Sequence, residues 1–162
     1  HGGSDGKGNS VAKNCKIYGG LYSWKEMMDY STSEGVQGIC PADWHVPTDA
    51  EFKKMEMALN PPLTNLEADA SGWRGKDQGD QLKKAAECSG KNCGTSGFDG
   101  LFTGTRNTAG LFYKKGKETY FWTSTLHDEA NAIYRYLDVK KKKIFRSNYS
   151  KANGFCVRCV KD

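Results

Sequence analysis

Spacing of the apolar side chains divides the chain into a helical first third, a loop-rich middle and a strand-rich end. "SWKEMMDY" puts Trp24, Met27 and Met28, with Leu21 just before them, on one face at helical spacing and gives the other face to Lys25, Glu26 and Asp29. That is an amphipathic helix. "PTDAEFKKMEMAL" predicts a second: Thr48 is its N-cap, Glu51 three residues on completes a capping box, and Phe52, Met55 and Leu59 form the buried stripe. "CPADWHVP" before it is extended, since Pro41 and Pro47 forbid helix at either end. From Asn60 to Gly97 the chain turns to Pro, Gly, Asp and Lys, with room for a short helix only in "GDQLKKAAE". After Gly97 come short strand-like runs: "FDGLFTGTR", "GLFYKK", "TYFWTST", "AIYRYLDV", "KIFRSNY" and "GFCVRCV". Two helices followed by five or six closely spaced strands predict an α+β fold with a mainly antiparallel sheet and long loops.

Composition narrows the class. A length of 162 residues suits one domain, read as residues 15–162 after a flexible lead-in over 1–14. No apolar run approaches the ~18 residues of a membrane span, so direct membrane insertion is not expected. The first residues hold no charged-then-apolar leader, and any signal or lipid anchor is expected to have been removed. The formal charge of +5 is spread over 24 basic and 19 acidic residues. Its densest run, Lys140 to Lys143, reads as a solvated hairpin tip rather than a nucleic-acid site. Phosphate-cradling and dinucleotide glycine motifs do not occur, so no cofactor is expected. The domain is read as monomeric.

The cysteines point to an oxidising compartment. Six of them, Cys15, Cys40, Cys88, Cys93, Cys156 and Cys159, is an even number ordinary for an exported chain of this size. A redox C-x-x-C places its first thiol at a helix N-terminus, whereas Cys156 sits in a run that reads as a strand. Residues i and i+3 of a strand point to opposite faces, so Cys156 and Cys159 are expected to take different partners. The same split argues against a zinc site built from Cys88, Cys93, Cys156 and Cys159. Cys88 and Cys93 bracket "SGKN", a turn whose length suits a local bridge. Cys15 and Cys40 then take one each of Cys156 and Cys159, in either order.

Catalytic constellations are weak. His45 lies in the extended "WHVP" run and reads as structural. Ser124, His127 and Asp128 are too close in one loop to converge as a triad, and nothing supplies an oxyanion hole. "DQGD", Asp77 to Asp80, lacks further ligands in view and reads as solvated rather than as a cation site.

The motifs "YGGLYSWKEMM", "CPADWHVPTDAEF", "GTRN" followed by "GLFY", "YFWTST", "YRYL" and "NGFCVRCVKD" occur in order from about Tyr18 to Asp162. In these the chain resembles the Fibrobacter succinogenes major paralogous domain. The resemblance implies an exported or lipid-anchored surface protein and a C-type-lectin-like fold. It also implies that Cys40 pairs with Cys159. Relatives usually carry Ser at the position of Cys156, and a cysteine upstream that would pair with Cys15 is missing here. Cys15–Cys156 is therefore expected as this chain's own bridge. Arg146, Lys151, Gly154 and Arg158 match motif positions and read as structural. The calcium motifs of true lectins are missing, since "YFWTST" has no Asn-Asp after Trp122, and no metal is expected. "NYS" at Asn148 has the form of a glycosylation sequon, a coincidence in a bacterial family.

What is left is a binding surface. "NAIYRYLDVKKKKIFRSNYSKAN" is dense in Tyr, Asn, Arg and Ser, chemistry that recognition surfaces favour, and in retroelement-linked relatives this segment is the diversified one. Strand alternation puts Ile133, Arg135 and Leu137 on one face and Tyr134, Tyr136 and Asp138 on the other. With Leu137 and Ile144 in the core, the surface candidates are Tyr134, Tyr136, Asp138, Phe145, Ser147 and Tyr149, joined by the loop residue His127. The expectation is a non-catalytic, adhesin- or receptor-type domain at the cell surface or outer membrane, with a protein or glycan ligand. A calcium-independent carbohydrate-binding module, stacking sugars on Trp73, Tyr113 and Trp122, is the second reading. A structural spacer in a larger surface protein is the third.

Overall fold

The computed structural model describes residues 11–162. Their elements are α1 (Val11–Tyr18), α2 (Trp24–Met27), β1 (Trp44–His45), α3 (Asp49–Ala58), α4 (Asn65–Asp69), β2 (Gly72–Arg74), α5 (Gln78–Leu82), a 3-10 turn at Ala85–Glu87, β3 (Thr105–Arg106), β4 (Phe112–Tyr113), β5 (Glu118–Leu126), β6 (Asn131–Asp138), β7 (Ile144–Ser150) and β8 (Val160–Lys161). The fold is mixed α/β with antiparallel sheets, as the sequence pattern predicts. Among the described residues the α-helices number five, where two were expected and a short one was allowed in "GDQLKKAAE", the stretch α5 overlaps. α1 opens inside the stretch read as lead-in, and residues 1–10 of that reading lie outside the described residues.

Three helices start on the same device. Ser23, Thr48 and Thr64 each accept from the backbone N–H three residues on, while Glu26, Glu51 and Glu67 reach back to the capping residue's own N–H. Two orphan donors are satisfied at each site. The Thr64–Glu67 spacing was as legible as that of Thr48–Glu51 and would have found α4. Leu21 lies before the α2 cap rather than on the helix, half-buried beside the Phe52 core.

Antiparallel pairing runs β2-β7-β6-β5 through one four-stranded sheet; β1–β8 and β3–β4 are two-stranded ribbons. Alternation gives Phe121, Arg135, Leu137 and Ile144 one face of the large sheet and Tyr120, Trp122, Tyr134, Tyr136 and Phe145 the other. Each face covers a core. Phe52, Leu82, Phe102 and Cys156 pack on Phe121, Leu137 and Ile144, and Trp24, Met27, Met28, Cys40 and Val46 pack with Trp122, Ala132, Tyr134 and Phe155. Lys140–Lys143 is the exposed β6–β7 tip. Its carbonyls dock on α5, where Lys142 O accepts from Asp80 N at 3.0 Å. A Cβ on Gly79 would come within 2.2 Å of Lys143 O, so this approach requires glycine.

A buried charge network ties α3 to the sheet. Arg135 donates through Nε to Glu56 at 2.5 Å and through Nη1 to Asp49 at 2.7 Å. Arg146 holds Asp49 with two bonds, of 2.8 and 2.7 Å. Arg74 Nη2 stands 2.8 Å from Glu56 Oε2, a charge contact without hydrogen-bond alignment. Burial raises the pKa of Asp49, but the bonds and charges of Arg146 and Arg135 outweigh it and hold the carboxyl well below the usual range.

Two disulfides close the fold, Cys40–Cys159 and Cys88–Cys93. Cys15–Cys156 does not form: Cys15 is exposed and Cys156 is buried. "GFCVRCV" is not a continuous strand. Gly154 pairs with Arg106, Phe155 with Tyr22 and Cys156 with Phe121, and strand resumes only at Val160. This path seats the Cys156 thiol inside the core, 2.8 Å from Thr103 Oγ1. Burial raises its pKa.

Candidate functional site

Antiparallel register lines up one aromatic residue from each strand of the large sheet. Trp73 pairs with Phe145, Phe145 with Tyr136 and Tyr136 with Tyr120. All four rings are partly exposed. Tyr120 and Tyr136 stack with centroids 4.7 Å apart and planes 15° apart, close to the spacing of neighbouring strands. Trp73 lies 5.1 Å from Phe145 and 5.2 Å from Tyr136. Because the two tyrosine faces cover each other, this part of the row offers ring edges and hydroxyls.

Carboxylates border the row. Glu118 and Asp138 are cross-strand partners; Tyr120 donates to Glu118 at 2.6 Å and Tyr136 to Asp138 at 2.9 Å. Burial, then the neighbouring carboxylate, pushes both phenol pKa values far above the ordinary value, so both stay neutral donors. Lys114 pairs with Glu118 at 3.1 Å, and Lys141 Nζ lies 6.0 Å from the Trp73 ring centroid.

The sheet thus brings Tyr136, Asp138 and Phe145 together and adds Trp73, Tyr120 and Glu118 from outside the expected segment. Tyr134 is not a surface residue. Trp122, Phe145, Tyr149 and Phe155 surround it, leaving it 7% exposed, and burial lifts its phenol to about 12. Ser147 is its partner on β7, and Tyr149, half exposed, flanks it farther along. His127 is exposed in the β5–β6 turn, away from the row, beside Asp128, which caps that turn by accepting from the N–H groups of Ala130 and Asn131. Ser124 is buried, accepts from Gly35 N and donates to Pro47 O, and no hydrogen bond joins it to His127. Of the sugar-stacking candidates Trp122 is fully buried, while Tyr113 is exposed on the separate β3–β4 ribbon. Asp80, read as solvated, is buried and bonded to Lys83 at 2.8 Å. It lies beside Cys88 and Cys93, whose sulfurs are joined and present no thiolate pair to a metal.

A cavity of about 690 Å³ opens between the end of α3 and the Cys88–Cys93 loop, lined by Met55, Leu59, Phe98, Asn60, Gln81 and Asn92. No motif marks it. Its amides largely hold the surrounding chain: Gln81 bonds Asn60 O and Asp77, and Asn92 bonds Asp77.

Against protein families, the model of the Fibrobacter succinogenes major domain matches residues 4–161. The chain belongs to that family. No curated protein and no solved structure matches it. The Fibrobacter succinogenes major domain here takes in both disulfides, the large sheet and every residue of the aromatic row.

Proposed function

We propose that this is a non-catalytic binding domain of an exported bacterial surface protein, with a C-type-lectin-like fold, that holds a protein ligand against the partly exposed part of the large sheet's Trp122 face, beside the core that this face covers. The carrying observation is the four-strand aromatic row Trp73–Phe145–Tyr136–Tyr120, bordered by the Glu118 and Asp138 carboxylates. Partly exposed aromatics on a rigid sheet supply contact area at low entropic cost. Fixed hydroxyls and carboxylates beside them supply direction. Ring edges in the centre of the row and a buried Trp122 favour protein over sugar, because stacking on a pyranose needs an open ring face.

The test is a Tyr136→Ala/Phe145→Ala double variant, screened beside the parent against displayed surface proteins and a glycan array, with and without chelator. The parent is expected to bind a protein ligand, the folded variant at least about tenfold more weakly, and the chelator to change nothing. A folded variant that binds as the parent does removes the face from consideration. Glycan binding that survives the double variant would favour the sugar-binding reading through Tyr113 or Trp73.

A further inference from the structure

Four of the chain's five arginines are committed. Arg74 donates to Ala68 O, Arg135 and Arg146 to buried carboxylates, and Arg158 to the carbonyls of Phe98 and Asp99. Arg106 is the exception. Its guanidinium donates no hydrogen bond and meets no carboxylate in ion-pair contact among the described residues, and it lines a cavity of about 520 Å³ with Lys25, Lys151, Ser23, Ser150 and Glu129. We propose that this groove binds an oxyanion group, a carboxylate, sulfate or phosphate, with the Arg106 guanidinium as the bidentate donor.

The groove is built to hold the cation in place. Arg106 N donates to Gly154 O at 3.0 Å and Arg106 O accepts from Gly154 N at 2.7 Å. Its side chain lies so close over Gly154 that a Cβ there would come 3.0 Å from Arg106 Cβ and Nε. Lys151 is fixed by two backbone bonds, from its N to Ala130 O at 3.0 Å and from Trp24 N to its O at 2.9 Å, with Nζ 5.2 Å over the Trp24 ring. The Glu26 carboxylate, whose charge also acts on Arg106, accepts its hydrogen bonds from Ser23 N and Oγ. Three cations line the groove against one lining carboxylate, Glu129, with the charge of Glu26 acting from beside it. A planar guanidinium that donates no hydrogen bond matches the two oxygens of an oxyanion, and flanking ammonium groups add charge without demanding geometry. The site lies apart from the aromatic row, so either proposal can fail alone.

The intact chain is titrated at constant ionic strength with acetate, sulfate, phosphate and glucuronate replacing chloride, following the arginine Nε–Hε resonances. A saturable shift of the Arg106 resonance is expected with at least one of them. Glucuronate tighter than acetate would place the oxyanion on a sugar; sulfate or phosphate tightest would name an inorganic-type headgroup. Arg106→Gln is expected to weaken binding at least about tenfold, and Glu129→Gln to tighten it about threefold. Lys140→Gln, on the β6–β7 tip, should leave it unchanged. No saturable shift in the parent, or equal weakening by Lys140→Gln, overturns the proposal. The parent titration decides it even if the arginine variant does not fold.

Discussion

His45 sits between two carboxylates, with Nδ1 2.5 Å from Asp162 and Nε2 2.8 Å from Glu51. The bond to Asp162 raises its pKa, burial opposes this, and Glu51 adds to the rise. The imidazolium is thus favoured in the folded state. Its contribution is fully present below the unfolded value of 6.5 and is lost as pH rises through the raised folded value. His45→Gln is therefore expected to lose more thermal stability at about pH 5.5 than at about pH 8.5. An equal loss at both would deny the charged bridge. The sequence marked His45 as structural; Glu51, six residues on, is a local partner, but Asp162, 117 residues away, arrives only when β8 pairs with β1. Of the expected bridges only Cys15–Cys156 fails, because an even count does not oblige every cysteine to pair: "GFCVRCV" changes partner at each of three residues and seats Cys156 in the core, while Cys15 stays exposed. Thiol labelling of the native protein should modify Cys15 quickly and Cys156 only on unfolding, giving two free thiols in all. Finding none would restore the missing bridge.

Helix α3 shows how local signals outrun long-range ones. Its cap was legible because the two ends of a capping box lie only three positions apart, and Phe52 because helical periodicity is local. Asp49 and Glu56 were not, because their arginine partners lie on β2, β6 and β7. Alternation did place Arg135 on the core face, and a charge there was the available sign that carboxylates must meet it. Arg135→Met keeps the volume and strands part of the network, so chemical denaturation should show a loss of about 3–5 kcal/mol. A loss under about 1 kcal/mol would mean that Arg74 and Arg146 suffice. The aromatic row had the reverse fate. The Tyr136 and Phe145 positions followed from parity, while Trp73 and Tyr120 needed the strand order.

At the scale of the molecule, two cores on opposite sheet faces are held by one long covalent loop. Cys40–Cys159 spans 119 residues and joins the α2–β1 region to the final strand, whereas Cys88–Cys93 closes only its own turn. In the chain-entropy model a loop of this length stabilises by about 4–5 kcal/mol. A Cys40→Ala/Cys159→Ala variant should lose most of that in denaturant melts, and Cys88→Ala/Cys93→Ala much less. Equal losses would contradict this ranking. The fold class was legible from periodicity and the 40–159 pairing from resemblance. Burial of Tyr134 was not, because alternation reports which side a residue takes and not what lies above it.

Rings 4.7 Å apart and nearly parallel share their excited states. The Tyr120–Tyr136 pair, with Trp73 beside it, is therefore a chromophore assembled by folding, and whatever settles on that face alters the near-ultraviolet dichroism and emission of the unlabelled protein.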